Sequence, residues 1–123
     1  MSEKTFMVLQ LDIPNRNGNV YTKKSIEEAI SKFKIPSFGA FMDNGPADID
    51  NFSHVVNRVW IENDVVMATV KTIDTPKGKV LRNLLDVDAV EFRTSGTGRV
   101  DENGIVSDYT MISVSAVAKG TGA

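Results

Sequence analysis

Two runs rich in β-branched residues, FSHVVNRVWI (52–61) and DVVMATVKTI (64–73), meet through Glu62-Asn63-Asp64, and they constrain the chain more than any other feature. Branched side chains lose little freedom on a pleated surface. A link this short joins neighbouring strands antiparallel, because a parallel crossover needs a dozen residues or more. A β-hairpin at 52–73 is therefore expected, and the rest of the chain must pack against it.

The flanking segments fit that requirement. FMVLQLDI (6–13) reads as a well-buried strand, and PNRNGNVY (14–21) follows with the Asn, Gly and Pro that tolerate turn dihedrals. Within TKKSIEEAISKF, Ile26, Ala29, Ile30 and Phe33 fall on one helical face, with Thr22 as N-cap and Pro36 as a stop. This predicts a main helix over about 22–34. GAFMDNGPADIDN (39–51) reads as a short strand running into an exposed loop. DTPKGKVLRNLL predicts a short helix over about 77–85 that buries Val80, Leu81, Leu84 and Leu85. VEFRTSGTGRV (90–100), a DENG turn at 101–104 and YTMISVSAVA (109–118) complete the series. The last strand alternates a smooth apolar face with a mixed one carrying Ser113 and Ser115.

Six to seven strands with one main and one short helix make an α+β fold, mainly antiparallel, expected to close or nearly close into a β-barrel. At 123 residues the chain suffices for one domain, residues 1–123, with loose ends expected at 1–5 and 119–123. Composition narrows the function. The formal net charge is −2 and the lysines are scattered, so nothing favours nucleic acid. No apolar stretch approaches the length needed to cross a bilayer, and the N-terminal apolar run is too short for a signal peptide. Cysteine is absent, which removes disulfides and thiolate metal sites, and no cofactor motif is present. Asp43, Asp48 and Asp50 lack the spacing and terminal Glu of a calcium loop and read as a solvated acidic segment.

The nucleophile and base candidates are few. His54 is the only histidine, set in a β-branched run where a hydrogen-bonded strand residue is the ordinary outcome. Ser95 lies beside Gly96 and Gly98 but without the order of a nucleophile elbow, and such small residues ordinarily mark a bulge or a hairpin end. Ser113 and Ser115 lie on the final strand.

The order of these motifs resembles the head-maturation (prohead) proteases of tailed phages, a family related in fold to the herpesvirus assembly protease. NRNGNVYTKKSIEEAI, GAFMDNGP, the 53–85 stretch with its DTPKGK element, FRTSGTG and ISVSAV match in sequence order over about residues 8–118. The family's Gly-Glu-Leu-x-His-Pro segment, which supplies its histidine, corresponds to GAFMDNGP and puts that position on Asp43. Its Gly-Val/Ile-Ser-Ser-Arg-Gly-x-Gly segment, aligned on Gly96 and Gly98, puts the nucleophile position on Arg93 and the arginine position on Ser95. The closing Val-Asp-Ala-Val becomes VSAV, with Ser115 in place of the Asp.

By this resemblance the family's His, Ser and Asp positions are Asp43, Arg93 and Ser115, a degenerate set with no catalytic residue. A guanidinium stays protonated and only donates, and a carboxylate with pKa near 4 is a poor base for serine. The resemblance implies that Asp43 and Arg93 face each other, where an ion pair is expected. It leads to a non-enzymatic virion protein: a capsid decoration or cement subunit, assembled in the host cytoplasm, that binds the major capsid protein and meets further copies of itself on the lattice. Two alternatives stand beside it. One is an active serine protease with a relocated site built from His54 with Ser95, Ser113 or Ser115. The other is an inactive regulatory partner of the head protease.

Overall fold

The computed structural model describes residues 3–40 and 49–120. Seven strands and two helices follow in the order β1 (Lys4–Gln10), β2 (Val20–Tyr21), α1 (Lys23–Lys32), β3 (Ser37–Ala40), β4 (Phe52–Glu62), β5 (Val65–Thr72), α2 (Pro76–Asp86), β6 (Val90–Val100) and β7 (Ile105–Ala118). A 3-10 turn, Ile49–Asn51, precedes β4.

The strands form two sheets, ordered β1-β5-β4-β3 and β2-β7-β6. Every described ladder is antiparallel except the short parallel pairing of β2 with β7. β4 and β5 form the hairpin that their sequences predict, and Asn63 takes the left-handed turn conformation (φ 55°) that Asn tolerates. The 101–104 turn also forms. There Asp101 Oδ1 accepts from the backbone N–H groups of Asn103 and Ile105 at 2.8 and 2.9 Å.

The α+β class therefore holds, but the expected closed barrel is not found. β1 lies alongside β6 and β3 alongside β7, and no ladder joins either pair among the described residues. At the β3–β7 seam, a side chain takes the place of a ladder bond. His54 on β4 reaches past Gly39 to the Val114 carbonyl of β7.

The helices start where their caps are. Thr22 Oγ1 accepts from the Ser25 N–H at 3.3 Å, and α1 buries Ile26 and Ala29 with Ile30 and Phe33 against the core. α2 is longer than the 77–85 segment expected. Pro76 takes the first-turn position, where its missing N–H costs nothing, and Thr75 Oγ1 accepts from the Gly78 N–H at 2.9 Å. The same Thr75 hydroxyl donates to the Phe52 carbonyl at 2.6 Å, which docks the helix start on β4.

Both helices pack on the inner side of the four-stranded sheet, where Val56, Val66, Ala68, Leu81 and Ile26 are sealed from solvent. Burial of Ile26 or Leu81 contributes roughly 1.5–3 kcal/mol each. Phe6 on β1 packs against Phe92 on β6, ring centroids 4.6 Å apart, and so ties the two sheets together. β7 has the mixed face that its sequence predicts, and that face lies inside as well: Ser113 and Ser115 are both buried. β1 begins at Lys4, within the 1–5 segment expected to be loose. No described helix is long and apolar enough to cross a membrane.

Candidate functional site

The paired strands β6 and β7 carry most of the residues to which the sequence assigns chemistry. Arg93 lies directly opposite Ser115, and Ser95 directly opposite Ser113. Directly paired residues share a face, as do residues two apart, so these four side chains line one face of the ribbon. The three serines are buried and Arg93 is half-buried. Ser95 Oγ and Ser115 Oγ hydrogen-bond diagonally across the strands at 3.0 Å. The ladder shifts register between Ser95 and Gly96, the bulge that small residues beside glycine suggest. Burial raises the pKa of the Tyr21 phenol, and the positive charge of Arg93 opposes that rise.

His54 belongs to a different constellation. Its ring meets Phe92 edge-on, centroids 5.1 Å apart, and Phe92 is the neighbour of Arg93 that points to the opposite face of β6. Nε2 lies 2.6 Å from the Val114 carbonyl, which only accepts, so Nε2 carries the proton. Nδ1, 2.7 Å from Ser53 Oγ, is then the acceptor, and Ser53 donates to it. The contact from Ser53 Oγ to the Gly39 carbonyl, at 3.5 Å, is the longer competitor for that proton.

Consecutive strand residues ordinarily point to opposite faces, so Ser53 and His54 should not meet. They meet because the β3–β4 ladder shifts register between Gly39 and Ala40, which leaves Ser53 as the extra residue of a bulge. Sequence reasoning missed this pair. The adjacent Ser-His was visible, but the bulge that turns both side chains inward has no local signature.

The Ser53–His54–Val114 chain copies the outline of a nucleophile, base and orienting group. Its setting is a closed one. Ser53 and His54 are both fully buried. Burial pushes the imidazole pKa down to about 4, with the Val114 hydrogen bond opposing part of the shift. A lowered pKa and full burial suit a histidine that holds the fold and disfavour proton transfer.

Of the sequence candidates, the structure brings Arg93, Ser95, Ser113 and Ser115 together and leaves His54 apart. Both of its ring nitrogens are hydrogen-bonded, to Ser53 and to Val114, and a relocated site would need one of them turned to Ser95, Ser113 or Ser115. Asp43, and with it the expected Asp43–Arg93 ion pair, lies outside the described residues, as does Asp48. Asp50 is exposed in the 3-10 turn. Among the described residues, no group of three or more His, Cys, Asp or Glu side chains could hold a metal ion.

No protein-family model matches this chain, and no curated protein sequence does. A solved structure does match. The capsid assembly protease gp21 of bacteriophage T4 superposes with a TM-score of 0.80 over 94% of this chain and 80% of that chain, at 18% sequence identity. At that identity the likeness is one of fold: this chain has the fold of a phage capsid assembly protease.

Proposed function

We propose that this chain is a non-enzymatic component of a phage head: a decoration or cement subunit, built on a prohead-protease scaffold whose catalytic positions have been replaced, that binds the major capsid protein. The fold supports the scaffold part of this reading and a capsid setting.

The observation that carries the loss of catalysis is Arg93. It occupies the position that the family resemblance gives to the nucleophile, directly opposite Ser115, which replaces the family's Asp. Arginine has no nucleophilic form at accessible pH. Because a triad works as a unit, losing its nucleophile alone removes most of the rate enhancement. The nearest rescue, a relocated site around His54, would have to release the imidazole from both of its hydrogen bonds.

Binding to the shell suits a domain of this size, since many weak contacts on a symmetric lattice add avidity. The direct test mixes the purified chain with mature heads that lack it and measures co-sedimentation. Saturable binding at a fixed ratio to the capsid subunit is expected. A chain that stays in the supernatant, or that pellets only with immature heads, would overturn decoration, and the second result would point to a regulatory partner of the head protease. Labelling by a serine-reactive phosphonate would overturn the loss of catalysis.

A further inference from the structure

The outer face of the four-stranded sheet carries a pattern that neither the core nor the protease-like site uses. Met7, Met67 and Trp60 lie in one row across β1, β5 and β4, since Met67 pairs directly with both of the others. Both helices pack on the opposite, inner side, and Met7 is 55% exposed. Two residues before Trp60 on the same strand face stands Arg58, its guanidinium 4.2 Å from the indole centroid. Two residues after it stands Glu62, and both charged residues are exposed.

Trp, Met and Arg are the residues that interfaces concentrate, and a cation held over an indole is already ordered before any partner arrives. The spacing of the charges is more informative. At about 3.4 Å per residue, the backbone positions of Arg58 and Glu62 lie about 7 Å to either side of Trp60 along β4, with side chains of opposite sign, and the Arg58 guanidinium leans from its side towards the indole. A two-fold axis along that row carries the row onto itself and exchanges its two sides. A second copy laid face to face would therefore set Met7, Met67 and Trp60 against their own counterparts. Arg58 of each copy would meet Glu62 of the other. A surface with this property is self-complementary, which an isologous contact demands and a contact with an unrelated protein does not.

We infer that the outer face of the β1-β5-β4 surface is a homodimer interface, in which a second copy of this chain stacks sheet on sheet about the Met7–Met67–Trp60 row. Two Arg58–Glu62 pairs close its edges. The contact is independent of whether the chain decorates a capsid.

The test is sedimentation equilibrium of the purified chain across a concentration series, with a charge swap. The parent chain is expected to pass from monomer to dimer as concentration rises. Arg58→Glu and Glu62→Arg should each weaken the dimer more than about tenfold, because each places like charges together twice. The double variant Arg58→Glu/Glu62→Arg should recover the parent dissociation constant. Circular dichroism melts of each variant would show that the fold is intact, as expected for exposed positions. Methyl resonances of Met7 and Met67 should shift with concentration in the parent and not in either single variant. A chain that is monomeric at every concentration, single variants that dimerise like the parent, or a double variant that stays monomeric would each overturn the interface. So would a dimer whose Met7 and Met67 signals do not move.

Discussion

His54 Nε2 donates to the Val114 carbonyl at 2.6 Å and so bolts β4 of one sheet to β7 of the other. Val114 belongs to the same β6–β7 ribbon that presents Arg93, so this bond fixes the ribbon that carries Arg93, Ser95, Ser113 and Ser115. The imidazole also accepts from Ser53, which leaves neither ring nitrogen idle in a fully buried position.

Removing that ring should be costly. His54→Ala opens a cavity and leaves the Val114 carbonyl and the Ser53 hydroxyl without their partner, a loss of about 2–5 kcal/mol. Thermal or urea unfolding would measure it. A change below about 1 kcal/mol would mean that the seam is held by something else.

The same group makes stability depend on pH. The folded pKa of His54 is lowered to about 4 from an unfolded value of 6.5, so the unfolded chain binds the extra proton first. Stability from this group is full above about pH 6.5 and declines as pH falls towards 4, by a total on the order of 3 kcal/mol. His54 is the only histidine, so His54→Gln should flatten the stability profile between pH 6.5 and 5. An unchanged profile in that variant would contradict the buried neutral tautomer.

Gly39 is held small by the same contact. A Cβ there would overlap both His54 Nε2 and the Val114 carbonyl, and the carbonyl is backbone that cannot swing aside. Gly39→Ala should therefore destabilise by about 1–3 kcal/mol. His54→Ala would relieve only part of that loss, because the overlap with Val114 remains. A neutral Gly39→Ala would show that β3 and β7 can separate freely.

Much of this fold is legible in the sequence because its signals are local. The 3.6-residue spacing of Ile26, Ala29, Ile30 and Phe33 sets α1, and the two β-branched runs around Asn63 set the β4–β5 hairpin. Pro76 extends α2 by one residue at its start, since a proline reads as a break from sequence and serves as a first-turn residue in place. The open seams were not legible. Whether strands close into a barrel depends on how far apart their edges stand, and at β3–β7 a histidine from the next strand takes the carbonyl. The Ser53–His54 pair was hidden for a related reason, since a bulge reverses the alternation from which faces are read. The pairing of Arg93 with Ser115 was not anticipated either, because motif order along the chain does not fix the register between two strands.

A pseudoprotease of the kind proposed should not regain catalysis easily. Arg93→Ser places a hydroxyl on the face shared with Ser95, Ser113 and Ser115, while the His54 ring is hydrogen-bonded to Ser53 and Val114. Arg93→Ser with Asp43→His is expected to give at most weak hydrolysis of a capsid-derived peptide, because Ser115 still stands where the family has Asp. Turnover near that of an active head protease would mean that the remaining site is already organised for chemistry. Conversely, Ser95→Ala should alter only stability, by about 1 kcal/mol through the lost bond to Ser115.

The most direct measurement is the copy number of this chain in purified mature phage heads, counted by quantitative mass spectrometry against the major capsid protein. A fixed simple ratio to the capsid subunit is the expected result, since a shell component must follow the lattice. Absence from mature heads, with the chain present only in immature ones or free in the infected cell, would contradict a decoration subunit.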